Sequence, residues 1–178
     1  MLKRALFPGR FQPFHKGHLS ALSQLLSEVS EVVVAIGSAQ EGYTCKNPFT
    51  AGERWEMLYR VIARNNLIGR VWVIPVPDIN MPLAWSSYLL SLSPQVEVVA
   101  SGNPQVLYLF SWLGFKTKGV KLLEPERYHG AQIRRLMLEG NDEWRDLVPA
   151  EVSEYIDEVK GVDRVKRLCV DEHSQNRW

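Results

Sequence analysis

The run Glu31-Val32-Val33-Val34-Ala35-Ile36-Gly37 restricts the fold more than any other stretch. It is apolar and mostly β-branched from Val32 to Ile36. Side chains of a strand alternate between two faces, so a strand apolar at every position is buried on both. Such a strand sits inside a parallel sheet with helices above and below. Similar segments recur at Ala5-Leu6-Phe7, Val71 to Pro77 and Val96 to Ala100, with a weaker fifth within Phe115 to Leu123. Helical patterns separate them: Leu19 to Val29, Thr50 to Asn66, Leu83 to Leu92, Val106 to Leu113 and Ala131 to Leu138. Thr50 and Glu53 have the spacing of a capping box. Glu143 to Val148, Ala150 to Lys160 and Val162 to Val170 also read as helical, before a polar tail. The alternation predicts an α/β fold with a doubly wound parallel sheet and right-handed crossovers. A single domain over 1–178 is expected, with 141–178 a helical C-terminal extension.

A chain of 178 residues suits one such domain. Hydrophobic residues make up 46% and charged residues 23%, which is a globular composition. The formal net charge of +1 gives no global argument for nucleic acid or an anionic membrane; neither is expected as a partner, and any anion site must be local. No apolar run approaches membrane-spanning length, and the N-terminus lacks a signal-length apolar stretch. Cys45 and Cys169 match no metal or redox spacing, so a reducing cytoplasm is expected rather than a disulfide framework.

In doubly wound sheets ligands bind beyond the C-terminal strand ends, where strand order reverses. Four loops fall at that edge: Gly9 to His18, Gly37 to Lys46, Asp78 to Trp85 and Ser101 to Asn103. The first, Gly9-Arg10-Phe11-Gln12-Pro13-Phe14-His15-Lys16-Gly17-His18, runs from a strand through a turn into a helix. Amide groups at a helix start are unpaired and that end of the dipole is positive. Arg10, Lys16, His15 and His18 would add to that field, which suits a polyanion such as a nucleotide phosphate. Taken alone, the histidines also fit a plainer role: His15 in the turn, His18 half-buried in the helix. A metal site is a third reading, because residues three apart share a helix face, but Leu19 to Ser27 supply no further ligand.

The whole decapeptide narrows these readings. It resembles the His-x-Gly-His signature of the nucleotidyltransferase superfamily, here Phe14 to His18, and more narrowly that of archaeal-type nicotinamide mononucleotide (NMN) adenylyltransferases. The resemblance implies a Rossmann-like nucleotidyltransferase fold, ATP and NMN as substrates, and NAD and pyrophosphate as products. It assigns catalysis to Arg10, His15, His18 and Arg134. ATP contacts would come from Gly9, Arg10, His15, His18, Gly102, Asn103, Arg127, Gly130 and Arg134. NMN contacts would come from Ser38, Lys46, Ile79, Asn80 and Trp85.

Each later block has a plainer reading beside this one. Tyr128 to Arg135 resembles the family's Ser-Gly-Thr-x-Val-Arg motif at Gly130, Ile133 and Arg134. It departs at His129 and Ala131, where the family has hydroxyl residues; without the resemblance Arg134 is a solvated helix charge. Lys46 stands where the family has a phosphate-binding Arg, and Lys keeps the charge but not the bidentate geometry. Trp85 follows an Asp-Ile loop as the family's ring-stacking Trp does, and Trp suits a cationic ring, though core packing explains a Trp equally well. The family's Asn three before that Trp is Pro82 here, so Asn80 is the candidate amide.

The implied mechanism is in-line attack of the NMN phosphate on the α-phosphorus of ATP. The nucleophile is already ionised, so no general base is required and positioning carries the catalysis. Mg²⁺ is expected to ride on the triphosphate, with no dedicated metal ligands in the chain. A cytoplasmic homo-oligomer, the hexamer among its forms, also follows from the resemblance. Two other readings remain: a related transferase acting on phosphopantetheine or FMN, and a nucleotide sensor without catalysis.

Overall fold

The structure, a computed structural model, describes residues 2–121, 123, 124 and 126–175. Five strands form one all-parallel sheet: β1 (Leu2–Gly9), β2 (Val29–Ile36), β3 (Val71–Pro75), β4 (Val98–Ser101) and β5 (Lys116–Gly119). Their spatial order is β3-β2-β1-β4-β5, so the winding reverses between β1 and β4. Alternate residues of each inner strand enter different cores. Ala5, Phe7, Val32, Val34, Ile36, Val98 and Ala100 pack into the larger one, while Leu6, Val33, Ala35 and Val99 face the smaller one. That two-residue period, apolar on both faces, is the physical meaning of the unbroken run at Val32 to Ile36.

The larger core contains residues of α1 (Lys16–Leu26), α2 (Ala51–Arg64) and α5 (Gly130–Glu139). The smaller is covered by α3 (Pro82–Leu92) and α4 (Pro104–Trp112). Thr50 caps α2 with the reciprocal bonds that its spacing with Glu53 predicts. The weak fifth strand is four residues long and exposed except at the partly buried Lys118, which is why its sequence carries so little apolar signal. Leu122, within the stretch expected to hold it, lies outside the described residues.

After Asn141 come a 3-10 turn (Asp142–Leu147), α6 (Ala150–Glu158) and α7 (Gly161–Gln175). The helix at Glu143 to Val148 is thus a 3-10 turn, and α7 continues into the stretch read as tail; residues 176–178 lie outside the described ones. Trp144, Leu147, Val148, Val152, Ile156 and Val165 join the larger core, continuous with the sheet.

The cysteine expectation is corrected. Cys45 and Cys169 form a disulfide between the loop after β2 and α7. Their separation of 124 residues hid the pair, because sequence spacing says nothing of which loops a fold brings together. Arg164 fastens the same helix to the same loop. Its guanidinium pairs with Glu53 at 2.7 Å, donates to the Pro48 carbonyl at 3.2 Å and lies 4.4 Å from the centre of the Tyr43 ring.

Candidate active site

The turn from β1 into α1 is held from within. Phe11 adopts φ 51°, a left-handed conformation that costs a bulky residue roughly 1–2 kcal/mol. Its ring is buried, 5.9 Å from Phe7 and 4.7 Å from His18. Gln12 is buried as well. Its amide nitrogen donates to the Phe49 carbonyl at 2.6 Å, and its amide oxygen accepts the Phe49 N–H at 3.0 Å. The turn is thereby tied to the loop preceding α2.

His15 and His18 cap α1 reciprocally. The His18 N–H donates to His15 Nδ1 at 3.3 Å, and the His15 N–H donates to His18 Nδ1 at 3.3 Å. The rings stack with centroids 3.5 Å apart. With each Nδ1 accepting, a neutral ring carries its proton on Nε2. Burial, helped by the charge of His129, pushes the His15 pKa down to about 3. Burial, then His15 and His129, hold His18 well below the ordinary imidazole value. The expectation that the two histidines add positive charge is therefore corrected: at neutral pH they are uncharged N–H donors. Lys16 also departs from expectation. Its ammonium donates to the Asp146 carbonyl at 2.8 Å and does not line the cleft.

The positive charge comes from guanidinium groups. A cleft of about 210 Å³ is lined by Arg10, His15, His18, His129, Gly130 and Arg134, among others. Arg134 donates to the Gln12 carbonyl at 2.6 Å. Burial first, and then Arg10, lower its pKa to about 10. Behind the cleft Arg54 is fully buried. It donates to the carbonyls of Arg10 and Gly37, each at 2.8 Å, and of Ser38 at 2.9 Å. Burial leads the fall of its pKa to about 10, with Asp78 opposing and Arg10 adding. Arg54 and Arg134 thus face carbonyl dipoles in these bonds rather than direct carboxylate partners. An incoming anion in the first cleft would supply the compensation that Arg134, which lines it, needs.

Two glycines let the early and late motifs meet. A Cβ on Gly17 would lie 2.9 Å from Tyr128 Cβ and 3.1 Å from His15 Nδ1. A Cβ on Gly130 would lie 3.0 Å from the Gln12 carbonyl oxygen. Any larger residue at either place would push α5 away from the β1–α1 turn.

A second cleft, of about 450 Å³, is lined by Asp78, Ile79 and Asn80 of the loop between β3 and α3, by Trp85 of α3 and by Asn103 at the start of α4, among others. Trp85 packs partly against the smaller core, edge-on to Phe110 at 6.3 Å. Its indole N–H is buried and has no hydrogen-bond partner among the described residues. The core-packing reading of Trp85 thus holds for part of the ring, while the residue also lines the cleft. Asn103 caps α4 by accepting the Gln105 N–H at 2.9 Å, and the Ser101 hydroxyl accepts its N–H at 3.0 Å.

The candidate residues thus divide. Arg10, His15, His18, Gly130 and Arg134 share the first cleft; Ile79, Asn80, Trp85 and Asn103 share the second. Gly9 and Gly102 stand at the ends of β1 and β4, beside the reversal of strand order. These two glycines line neither cleft, and nor do three further candidates. Ser38, itself at φ 49°, donates its hydroxyl to Asp78 at 2.6 Å and its N–H to the same carboxylate at 3.2 Å. Lys46 is exposed on its loop. Arg127 is exposed and turns to Glu124 at 3.5 Å. Sequence reading missed Gln12 and Arg54. Arg54 had left a signal: it shares the buried face of α2 with Met57, Leu58, Val61 and Ile62, so it is a cation on an apolar stripe.

Comparison with known proteins bears on the family and the fold. The cytidylyltransferase-like family model matches residues 6–118. The nicotinamide-nucleotide adenylyltransferase of Pyrococcus furiosus is 44% identical over 178 residues, covering 99% of this chain and 94% of its own. That of Methanothrix thermoacetophila is 45% identical, covering 94% and 96%. Among solved structures, a bifunctional NMN adenylyltransferase/ADP ribose pyrophosphatase from Francisella tularensis, complexed with AMP and a manganese ion, superposes with a TM-score of 0.73. At 20% identity it speaks for the fold alone, and the match spans 98% of this chain but 54% of that one. Through both its family model and full-length relatives, the chain belongs to the nicotinamide-nucleotide adenylyltransferases of the cytidylyltransferase-like family.

Proposed function

We propose that the chain transfers the adenylyl group of ATP to NMN, giving NAD and pyrophosphate, a step of NAD biosynthesis. The observation that carries this reading is the stacked, reciprocally capped His15–His18 pair on a helix N-terminus, flanked by Arg10 and Arg134. The pair offers two Nε2–H donors for phosphate oxygens around the α-phosphorus. The guanidiniums of Arg10 and Arg134 hold the pyrophosphate as it leaves. The NMN phosphate oxygen forms the new bond to the α-phosphorus as the bond to the β-phosphate oxygen breaks. Neither histidine acts as a general base, since each Nδ1 is occupied and the nucleophile is already an anion. Preorganised donors of this kind are worth roughly 10²–10³ in rate each.

Gly9, Gly102, Asn103 and Gly130 allow the nucleotide to lie close to the strand ends, and Arg127 reaches the phosphates by leaving Glu124. NMN takes the second cleft, with its ring on Trp85 and its amide at Ile79 and Asn80; Ser38 and Lys46 serve its ribose phosphate. Among the described residues no cluster of His, Cys, Asp or Glu has the make-up of a metal site. The divalent ion, Mg²⁺ in this reading, enters with ATP as part of the substrate. On the family resemblance, and with the Cys45–Cys169 disulfide not arguing for it, we place the enzyme in the cytoplasm as a homo-oligomer, the hexamer included; the exposed, stacked Trp55 and Tyr59 support a covered surface. Among the described residues no helix is long and apolar enough to cross a membrane.

Turnover of ATP with NMN, phosphopantetheine and FMN as alternative acceptors tests the assignment. NAD and equimolar pyrophosphate with NMN, and no product with the others, is the expected result. Product with phosphopantetheine or FMN instead would move the chain to a different acceptor.

A further inference from the structure

The second cleft carries an electrostatic feature that the transfer chemistry does not use. Asp78 is a carboxylate on its wall, and no Lys, Arg or His is among its lining residues. The carboxylate is fixed in place, accepting the Ser38 hydroxyl at 2.6 Å and the Ser38 N–H at 3.2 Å. The Asp78 N–H in turn donates to the Gln40 side chain at 2.8 Å. Arg54 reaches the other side of Ser38, binding its carbonyl from the buried interior, so its guanidinium does not line the cleft.

We infer that Asp78 is a specificity-determining residue: it makes the cleft favour a pyridinium ring bearing a neutral carboxamide over the same ring bearing a carboxylate. This rests on the reading above that the ring of NMN lies on Trp85. The amide ring is a cation, which a nearby carboxylate attracts. The deamidated ring is a zwitterion whose outer charge meets Asp78 with the same sign and finds no cation in the wall. One carboxylate at about a ring's width, partly offset by the buried Arg54 behind Ser38, changes relative affinity by roughly tenfold at a partly solvated site.

The test compares kcat/KM for NMN and for its deamidated analogue in wild type, Asp78→Asn and Trp85→Ala. Asp78→Asn keeps the shape and an oxygen to accept the Ser38 N–H. The wild type should prefer NMN by about tenfold, and Asp78→Asn should bring the two substrates within about threefold of each other. Trp85→Ala should raise KM for both while leaving the preference. A wild type indifferent to the ring substituent overturns the inference without any variant. Equal losses on both substrates in Asp78→Asn, with the ratio kept, also overturn it, because that is what a purely structural Asp78 would give. If Trp85→Ala changes neither KM, the ring lies elsewhere, and the ring placement fails together with the inference drawn from it.

Discussion

Replacing His15 with Asn should remove a measurable part of the protein's sensitivity to acid. The side-chain oxygen of Asn can accept the His18 N–H that His15 Nδ1 accepts now at 3.3 Å, and Asn is a favourable helix N-cap. The substitution therefore keeps the cap and deletes one titrating group. In the unfolded chain His15 binds a proton near the ordinary imidazole value of 6.5; in the folded protein burial, with His129, lowers this to about 3. Below the unfolded value the unfolded chain binds the proton and the folded one does not. The stability involved is present above pH 6.5 and is lost as pH falls toward 3. Between pH 7 and pH 5 linkage gives a loss of about 2 kcal/mol from this one group. For a domain of this size that is roughly 4–8 °C in Tm. Urea unfolding of both proteins at the two pH values reads it directly. The wild type should lose about 2 kcal/mol more than the variant over that interval. His18 continues to titrate in both, so the variant retains some slope. Equal losses in the two proteins would mean that His15 is protonated freely in the folded state, and the neutral-donor argument would fall.

Reduction of Cys45–Cys169, or Cys169→Ala, should destabilise the fold by up to about 5 kcal/mol, the chain-entropy value for a loop closed over 124 residues. Thermal melts with and without dithiothreitol measure this; a Tm unchanged by reduction would contradict it. Gly17→Ala should cost about 1–3 kcal/mol and most of the turnover, because the new methyl group would sit 2.9 Å from Tyr128 Cβ. Denaturant midpoints and initial rates check the pair of effects. Arg54→Met should destabilise by about 3–5 kcal/mol, since the buried carbonyls of Gly37 and Ser38 lose their donor. A loss under about 1 kcal/mol in a melt would show that water replaces the guanidinium without cost.

The sheet was legible because its inner strands are apolar at both phases of the two-residue period, and no other layer arrangement hides both faces. The nucleotide turn was legible because a strand, a glycine, a histidine pair and a helix start occur within ten residues. What stayed hidden was long-range or electrostatic. The β5 strand is mostly exposed, so its pattern is not apolar. Cys45 and Cys169 meet only through the docking of α7. Gln12 works through its amide and its main-chain oxygen, and no composition or spacing rule singles out such a residue. The histidines read as charges in the sequence, and only their burial and mutual capping make them neutral. Lys46 and Arg127 were reached by motif position, which fixes a place along the chain but not the direction of a long side chain at the surface.

The central claim is that neutral imidazole donors and flanking guanidiniums hold a triphosphate for attack by a nucleotide phosphate. Following ATP labelled at the α-phosphate, with NMN in excess, in wild type and a folded His18→Ala variant tests it most directly. The label should enter NAD one-for-one with pyrophosphate released, and the variant should slow this by about 10²–10³. Transfer at an undiminished rate in the variant, or label that stays out of NAD in the wild type, would contradict the account.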